Sequence, residues 1–434
     1  MMKRLINIFG ESGFLFLSTL LVNMGNYGLN LLLGRFLGPA EFAAANIIAT
    51  LVLVLSFIAL GVQLATTKFI SEYNADGDIL RQEAFLGWMK KTALIFSVTV
   101  SFMLVIASTS IVSFLNFDSA RSIIILFIAI PVYINLCVSR GYFQGKAEFK
   151  KLAFTYLVEM VARVVLTAAL IYICFRTEQG WAIEAISIGF IGSFAAAAYI
   201  GRIPSSSLFN EGTFTQAKEL YYFLGIVAMY EFSQIIINNS DVLLVKHFFE
   251  NNEAGLYASL ALIGRVVFFA TWSIVTVLFP KIIEKEKKGE PHVQYFWGSL
   301  AIVGMFGISV TLGCYLFDDI IVRIMFGEAY LSTAPLLWKY ATATTLFSCA
   351  NVFVYYHMSL ENYIPVAISL IIGLLQVAGI FFFHNSMLEI IQVQIAVMGL
   401  MLAAMIVYQQ IFSRSKPKIE KPITRSLILN KDIS

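Results

Sequence analysis

Long apolar runs, each about the length of a bilayer-spanning helix, recur along the chain between short polar connections. Twelve such runs cover 13–34, 43–66, 92–115, 122–140, 153–175, 180–200, 219–245, 255–279, 295–317, 335–357, 361–384 and 387–412. A helix needs about 20 apolar residues to cross the hydrocarbon core. The runs are continuous and rich in Leu, Ile, Phe and Ala, whereas barrel strands would be about ten residues long with in–out alternation. Backbone groups in lipid must be satisfied within the segment, so the pattern predicts an all-α polytopic membrane protein of twelve transmembrane helices.

Composition agrees. The 434 residues include 30 Lys and Arg and 27 Asp and Glu, 13 % of the chain, where a soluble domain carries about 25 %. The apolar set makes up 59 % and mean hydropathy is +0.80. A soluble globule cannot hide that much apolar surface, which excludes a cytosolic enzyme, a secreted disulfide scaffold and a disordered chain. Placing the charges then orients the spans. With a cytoplasmic N-terminus, 22 Lys and Arg fall on the cytoplasmic side, among them Lys68, Lys90, Arg140, Lys150, Lys281 and Lys416. Five fall on the other side: Arg35, Arg121, Arg176, Lys246 and Arg323. Arg163, Arg265 and Lys339 lie inside spans or at their ends. The positive-inside rule therefore places both termini in the cytoplasm. The net charge of +3 is a topology signal, and nucleic acid is not an expected partner. The start, MMKRLINIFG, lacks a short apolar stretch ending in a cleavage site and reads as an uncleaved first helix. Cys137, Cys174, Cys314 and Cys349 are scattered and suggest neither a metal site nor disulfides.

The two halves of the chain resemble each other. LLGRFLGPAEFAAANIIATLVLVLSFIALGVQLATTKFISE, 32–72, pairs with LLVKHFFENNEAGLYASLALIGRVVFFATWSIVTVLFPKIIEK, 243–285. Arg35 falls opposite Lys246, an offset of 211 residues, and Lys68 matches Lys281 after a two-residue gap. A shift of six helices preserves orientation, so the pattern predicts a parallel repeat of two six-helix halves. The expected division is 1–205, 206–412 and a basic cytoplasmic tail 413–434, with the boundary in the polar loop 201–218.

Ionisable groups within a bilayer cost about 2.5–3.5 kcal/mol each and are functional candidates by default. Glu159, Arg163, Glu231 and Arg265 lie deepest. Glu159 and Arg163 share a helical face at i, i+4. They form either a local salt bridge or a cavity site in which Arg163 binds an anionic group and Glu159 tunes it. Arg265 lacks an acidic partner on its own helix. It either pairs with Glu231, at matching depth, or faces the cavity, where its planar fork can grip phosphate oxygens. Asn23, Asn26 and Asn30 line one face of the first helix. Gln234, Asn238 and Asp241 line one face of the seventh, related by the repeat. These amides and the acid suit sugar hydroxyls, or else they bond helices together within a lobe. Gln63, Asn135, Arg140, Lys339 and His357 read as span-end residues that snorkel. Pro131 and Pro365 are expected to kink their helices.

The passage 32–73, together with DVLLVKHFFENNEAGLYASLALIGRVV from Asp241 and RGYFQGKAEFKKLAF from Arg140, resembles bacterial polysaccharide exporters and lipid-linked oligosaccharide flippases. These belong to the superfamily that includes multidrug and toxin extrusion transporters and peptidoglycan-precursor flippases. The resemblance implies a V-shaped pair of six-helix lobes around a central cavity with alternating access, and makes a pyrophosphate the anion that Arg163 would bind there. Its implied cargo is an undecaprenyl-pyrophosphate-linked oligosaccharide, flipped from the cytoplasmic to the outer leaflet of the inner membrane for O-antigen or capsule synthesis. It implies no cofactor beyond a coupling ion, proton or sodium. Polysaccharide polymerase and chain-length proteins are the partner proteins it suggests.

Enzyme motifs fail on inspection. GYFQGKA, 141–147, has three residues between its glycines and Ala147 where a phosphate loop needs Ser or Thr, so it reads as a turn. Asp76-Gly77-Asp78 reads as a loop turn within a charged, turn-like connection, 67–91. Asp318-Asp319 is the best available acid pair for chemistry. A multidrug exporter remains an alternative, though Arg163 and Arg265 would repel an organic cation. A membrane glycosyltransferase or polymerase is the other, though no connection is long enough to hold donor and acceptor.

Overall fold

The computed structural model describes residues 2–117, 119–178, 180–203, 217–268, 271, 282, 285–286 and 290–415. Side chains at 2–12, 217–219, 221–223, 226 and 413–415 are not described. Most of the expected lobe boundary at 201–218, the end of the eighth run and the basic tail lie outside the described residues. No strand occurs among those described.

α1 (Met2–Asp76) holds the first two passes, joined at Gly38 with φ 75°. A side chain there would clash with the backbone, and Pro39 opens the second arm, where a missing N–H is harmless. α2 (Ile79–Ile106) and α3 (Ser108–Phe114) form the third pass. α4 (Arg121–Ile128) and α5 (Ile130–Gly145) form the fourth, broken at Ala129. Pro131 causes the break: it has no N–H for the Phe127 carbonyl, which instead accepts from Ser101 Oγ at 2.8 Å. α6 (Phe149–Thr177) and α7 (Ala182–Ile200) complete the first lobe.

The second lobe runs through α8 (Ala217–Phe248), α9 (Asn251–Gly264) and α10 (Val293–Leu316). α11 (Asp318–Met325) and a 3₁₀ turn (Glu328–Leu336) follow. α12 (Leu337–Ser359), α13 (Ile364–Phe382) and α14 (Met387–Ser415) end the described chain. Pro365 sits in the first turn of α13, where it starts the helix and does not kink it. Among the described residues, eight helices are long and apolar enough to cross a membrane, the first of them holding both arms of α1. Each of the twelve runs is helical over most of its described residues, with breaks at positions such as Ala129 and at run ends such as 180–181, 361–363 and 383–384. The bundle is inside-out relative to a soluble protein. Phe102, Met103, Val165, Leu312 and Phe382 are exposed, while Glu159, Arg163 and Asp241 are buried.

Two connections differ from expectation. The segment 67–91 is helical except for a tight turn at Gly77-Asp78, and Asp78 caps α2 through the Arg81 N–H at 3.0 Å. The two helices therefore project beyond the apolar run as a hairpin. Gly141–Gly145 of GYFQGKA is the end of α5, with the turn confined to Lys146-Ala147, and its glycines are packing sites. A Cβ on Gly141 would stand 2.5 Å from the Gln63 carbonyl, and one on Gly145 would stand 2.7 Å from Ile70 Cβ. This small-xxx-small seam lets α5 lie backbone to backbone against the second arm of α1.

Chain alternation puts Lys68, Arg81, Lys90, Lys146, Lys150 and Arg202 on one face, called here the basic face. On the opposite face the two lobes are sealed together. Arg35, ending the first pass, donates to the Ile324 carbonyl at 3.0 Å in the other lobe. Its repeat counterpart Lys246, ending the seventh pass, donates to the Asn116 carbonyl at 2.8 Å in the first lobe. Each cation thus reaches the C-terminal end of a short helix in the partner lobe, where carbonyls lack helical donors and the dipole is negative. Tyr330 OH donates to the Gly34 carbonyl at 2.7 Å, and His247 stacks on Phe114 at 4.1 Å. Gly255 lies so close to Pro39 that a Cβ would stand 1.7 Å from the Pro39 oxygen.

Candidate functional site: an arginine-lined cavity between the lobes

Behind this seal lies a cavity of about 250 Å³ with walls from both lobes. Each helix contributes one face, as the 3.6-residue period requires. The second arm of α1 supplies Ser56, Phe57 and Gln63. α5 supplies Tyr133, Cys137 and Arg140 at spacings of four and three. Across from them α8 presents Tyr230, Glu231, Gln234 and Asn238, with Arg265 just beyond α9 and Tyr355 on α12.

Arg140 does not snorkel. It is 1 % exposed and held through Nε and Nη2. Its Nε donates to Thr155 Oγ1 at 3.1 Å, and Nη2 donates to the Thr155 carbonyl at 3.2 Å and to Glu159 Oε2 at 2.6 Å. The guanidinium lies 4.0 Å from the centre of the Tyr156 ring. Tyr156 OH is within 3.1 Å of the Gln63 amide oxygen, and Gln63 Nε2 donates to Gln144 Oε1 at 2.9 Å. An arginine that ends an apolar run reads as a topology anchor. Only the tertiary fold brings it under Glu159, nineteen residues on, so the sequence carries no local signal for this pairing.

Glu159 bridges two arginines, because its other oxygen accepts from Arg163 as the i, i+4 spacing predicts. Arg163 points away from the cavity wall. Its Nη1 donates to Asn26 Oδ1 at 2.8 Å, and its guanidinium covers the Phe190 ring at 4.5 Å. Asn30 donates to the Asn26 carbonyl at 2.9 Å, and Asn23 is exposed. Among the described residues, neither these asparagines nor Glu159 line the cavity. The first-helix amides thus bond within their own lobe. Gln234 does both: it lines the cavity and donates to Asn351 Oδ1 at 3.2 Å.

Arg265 pairs with Asp241 and not with Glu231. The Nη2–Oδ1 distance is 3.0 Å, and Asp241 Oδ2 accepts from Tyr340 OH at 2.7 Å and Tyr257 OH at 3.2 Å. Helix side chains lean toward the N-terminal end of their own helix. On antiparallel α8 and α9, residues at equal depth therefore lean apart. Arg265 leans toward Asp241, and Glu231 leans toward the basic face. Glu231 is 8 % exposed and has no hydrogen bond or ion pair among the described residues. The cavity wall therefore carries Arg140 and Arg265, each anchored from behind by a carboxylate, and one unpartnered carboxyl group. Among the described residues no group of His, Cys, Asp and Glu could hold a metal ion.

Fold and cavity together define the class, a membrane protein of two six-helix lobes around a central site. The chain belongs to the family described as polysaccharide biosynthesis protein, which matches residues 10–285. No curated protein sequence matches it. Among solved structures it is similar to an inward-facing multidrug resistance MATE family transporter of the MOP superfamily. That match has TM-score 0.77 and 11 % identity over 91 % of this chain and 96 % of the other. It is similar to the lipid II flippase MurJ in an inward closed conformation, with TM-score 0.71 and 13 % identity over 91 % and 87 %. An outward-facing MATE family transporter matches with TM-score 0.60 and 14 % identity over 94 % and 96 %.

Proposed function

We propose that this chain is a flippase that carries an undecaprenyl-pyrophosphate-linked oligosaccharide between leaflets by alternating access, for surface polysaccharide such as O-antigen or capsule. The observation that carries the reading is the pair of arginines, Arg140 from one lobe and Arg265 from the other, on the wall of one cavity. A diphosphate offers several oxygens to planar guanidinium forks, and low dielectric strengthens each contact. Gln234 and Asn238 on the same wall can donate to and accept from sugar hydroxyls. Arg163, behind the wall, then acts by holding Glu159 and through it Arg140. In a bacterial inner membrane, the charge asymmetry supports a cytoplasmic basic face with both termini in the cytoplasm. The sealed opposite face then makes this the inward-facing state. An ion gradient, of protons or sodium, is the proposed driver, and polymerase and chain-length proteins are the proposed downstream partners.

The test is a leaflet assay on cells lacking the gene: lipid-linked repeat units should accumulate in the inner leaflet. Units that reach the outer leaflet and fail to polymerise would overturn the reading. For orientation, a cysteine at exposed Glu253 should label from outside and one at Lys150 should not. One observation favours a second reading, export of an organic cation: unpartnered Glu231 beside Tyr230 and Tyr355. Drug resistance conferred by the chain and abolished by Glu231→Gln would select it.

A further inference from the structure

A second cleft, of about 760 Å³, opens between the second arm of α1, α2 and α8. Its lining is apolar apart from Thr92 and Glu231. Three of its residues, Ile58, Phe96 and Phe232, are 43 %, 47 % and 53 % exposed, one on each of the three helices. These form a mouth facing lipid. Trp88 lies at the end near Lys90 and Lys91, where an aromatic side chain marks the membrane interface. The mouth therefore opens in the leaflet next to the basic face. Phe57 and Glu231 belong both to this cleft and to the arginine-lined cavity, so one layer of side chains separates the two.

An apolar cleft open to lipid and a cationic cavity meeting at a shared edge match an amphiphile with an anionic head and a long hydrocarbon chain. We propose that the cleft holds the head-proximal part of the polyprenyl chain of the carrier lipid while the pyrophosphate lies between Arg140 and Arg265. This rests on the flippase reading and adds the route of entry, sideways from the membrane between α2 and α8. The mouth leaves the rest of a long chain in the bilayer, so the cleft need not match the chain's full length. A membrane phospholipid could also reach the mouth. Arg140 and Arg265 in the adjoining cavity favour a diphosphate head over a zwitterionic one.

Gly61 offers a way to fill the cleft. It sits in the wall, where an added Cβ would stand 3.9 Å from Val227 and 4.0 Å from Leu224, an ordinary contact. The experiment uses the full chain in nanodiscs and two probes, undecaprenyl pyrophosphate and the five-carbon dimethylallyl pyrophosphate. Gly61→Leu should weaken the long probe about tenfold and leave the short probe unchanged. Arg140→Gln should weaken both. As a readout independent of folding of the filled variant, benzophenone photocrosslinkers at Phe232 and Phe96 should capture undecaprenyl pyrophosphate in preference to phospholipid. A crosslinker at Phe102, exposed elsewhere on α2, should show no such preference. Unchanged long-probe binding by Gly61→Leu, or preferential capture of phospholipid at Phe232, would overturn the cleft and leave the flippase reading standing. Failure of the parent chain to bind either probe would overturn both.

Discussion

The two lobes bury their charges differently at related positions. In the first, α5, α6 and the first arm of α1 are tied by Arg140, Glu159, Arg163 and Asn26, two cations sharing one carboxylate. In the second, Asp241 and Arg265 balance each other under two tyrosine hydroxyls, and Glu231 has no partner among the described residues. The seam between fifth and first passes has its counterpart between eleventh and seventh, and there neutral Gln376 donates to the Ile237 carbonyl at 3.1 Å and to Ser240 Oγ at 3.0 Å. The repeat conserves which helices meet and not what joins them. Its consequence is a cavity with an excess cation on one wall and an unpaired carboxyl group on the other, a polarity that a symmetric protein could not build.

The largest effect should come from removing the shared carboxylate. Glu159→Ala leaves two buried arginines unpaired and should destabilise the protein by about 3–5 kcal/mol, read as loss of folded protein in a thermal unfolding scan. Asp241→Asn keeps an acceptor for Tyr257, Tyr340 and Arg265, so its loss should be smaller, about 1–3 kcal/mol. Equal losses would mean the two clusters are not distinct in kind. On the sealed face the buried latch should outweigh the exposed one. Lys246 is 1 % exposed, so Lys246→Met should raise cysteine labelling of the cavity from that face more than Arg35→Ala does. The reverse order would contradict the assignment of Lys246 as the stronger closure. The smallest loss belongs to Glu231→Gln, which removes no partner among the described residues and replaces a buried ionisable group with a neutral one, so stability should hold or rise, by about 1 kcal/mol at most. A loss as large as that of Asp241→Asn would reveal a partner for Glu231.

Much of this was legible from spacing alone. Apolar runs locate helices because lipid demands internally satisfied backbone, and Glu159 with Arg163 follows from one helical turn. Asp241 and Arg265 were both visible as buried charges, but their pairing depends on the lean of side chains on antiparallel helices, which depth matching ignores. Arg140 and Lys246 were hidden by the same feature: each ends an apolar run, and only packing decides whether such a residue reaches water or a partner. The helical hairpin over 67–91 and the short helix at 318–325 escaped for another reason. Charged helices outside the hydrocarbon carry no long apolar run, and the shorter one has only eight residues.

The central claim is that Arg140 and Arg265 together hold the head of a lipid-linked cargo between the lobes. It is tested most directly by reconstituting the chain in liposomes with a fluorescent undecaprenyl-pyrophosphate-linked oligosaccharide in one leaflet and measuring its appearance in the other. The parent chain should move it, Arg140→Gln should slow movement tenfold or more while still folding, and the double variant with Arg265→Gln should abolish it. Movement by the double variant at the parent's rate would contradict the account.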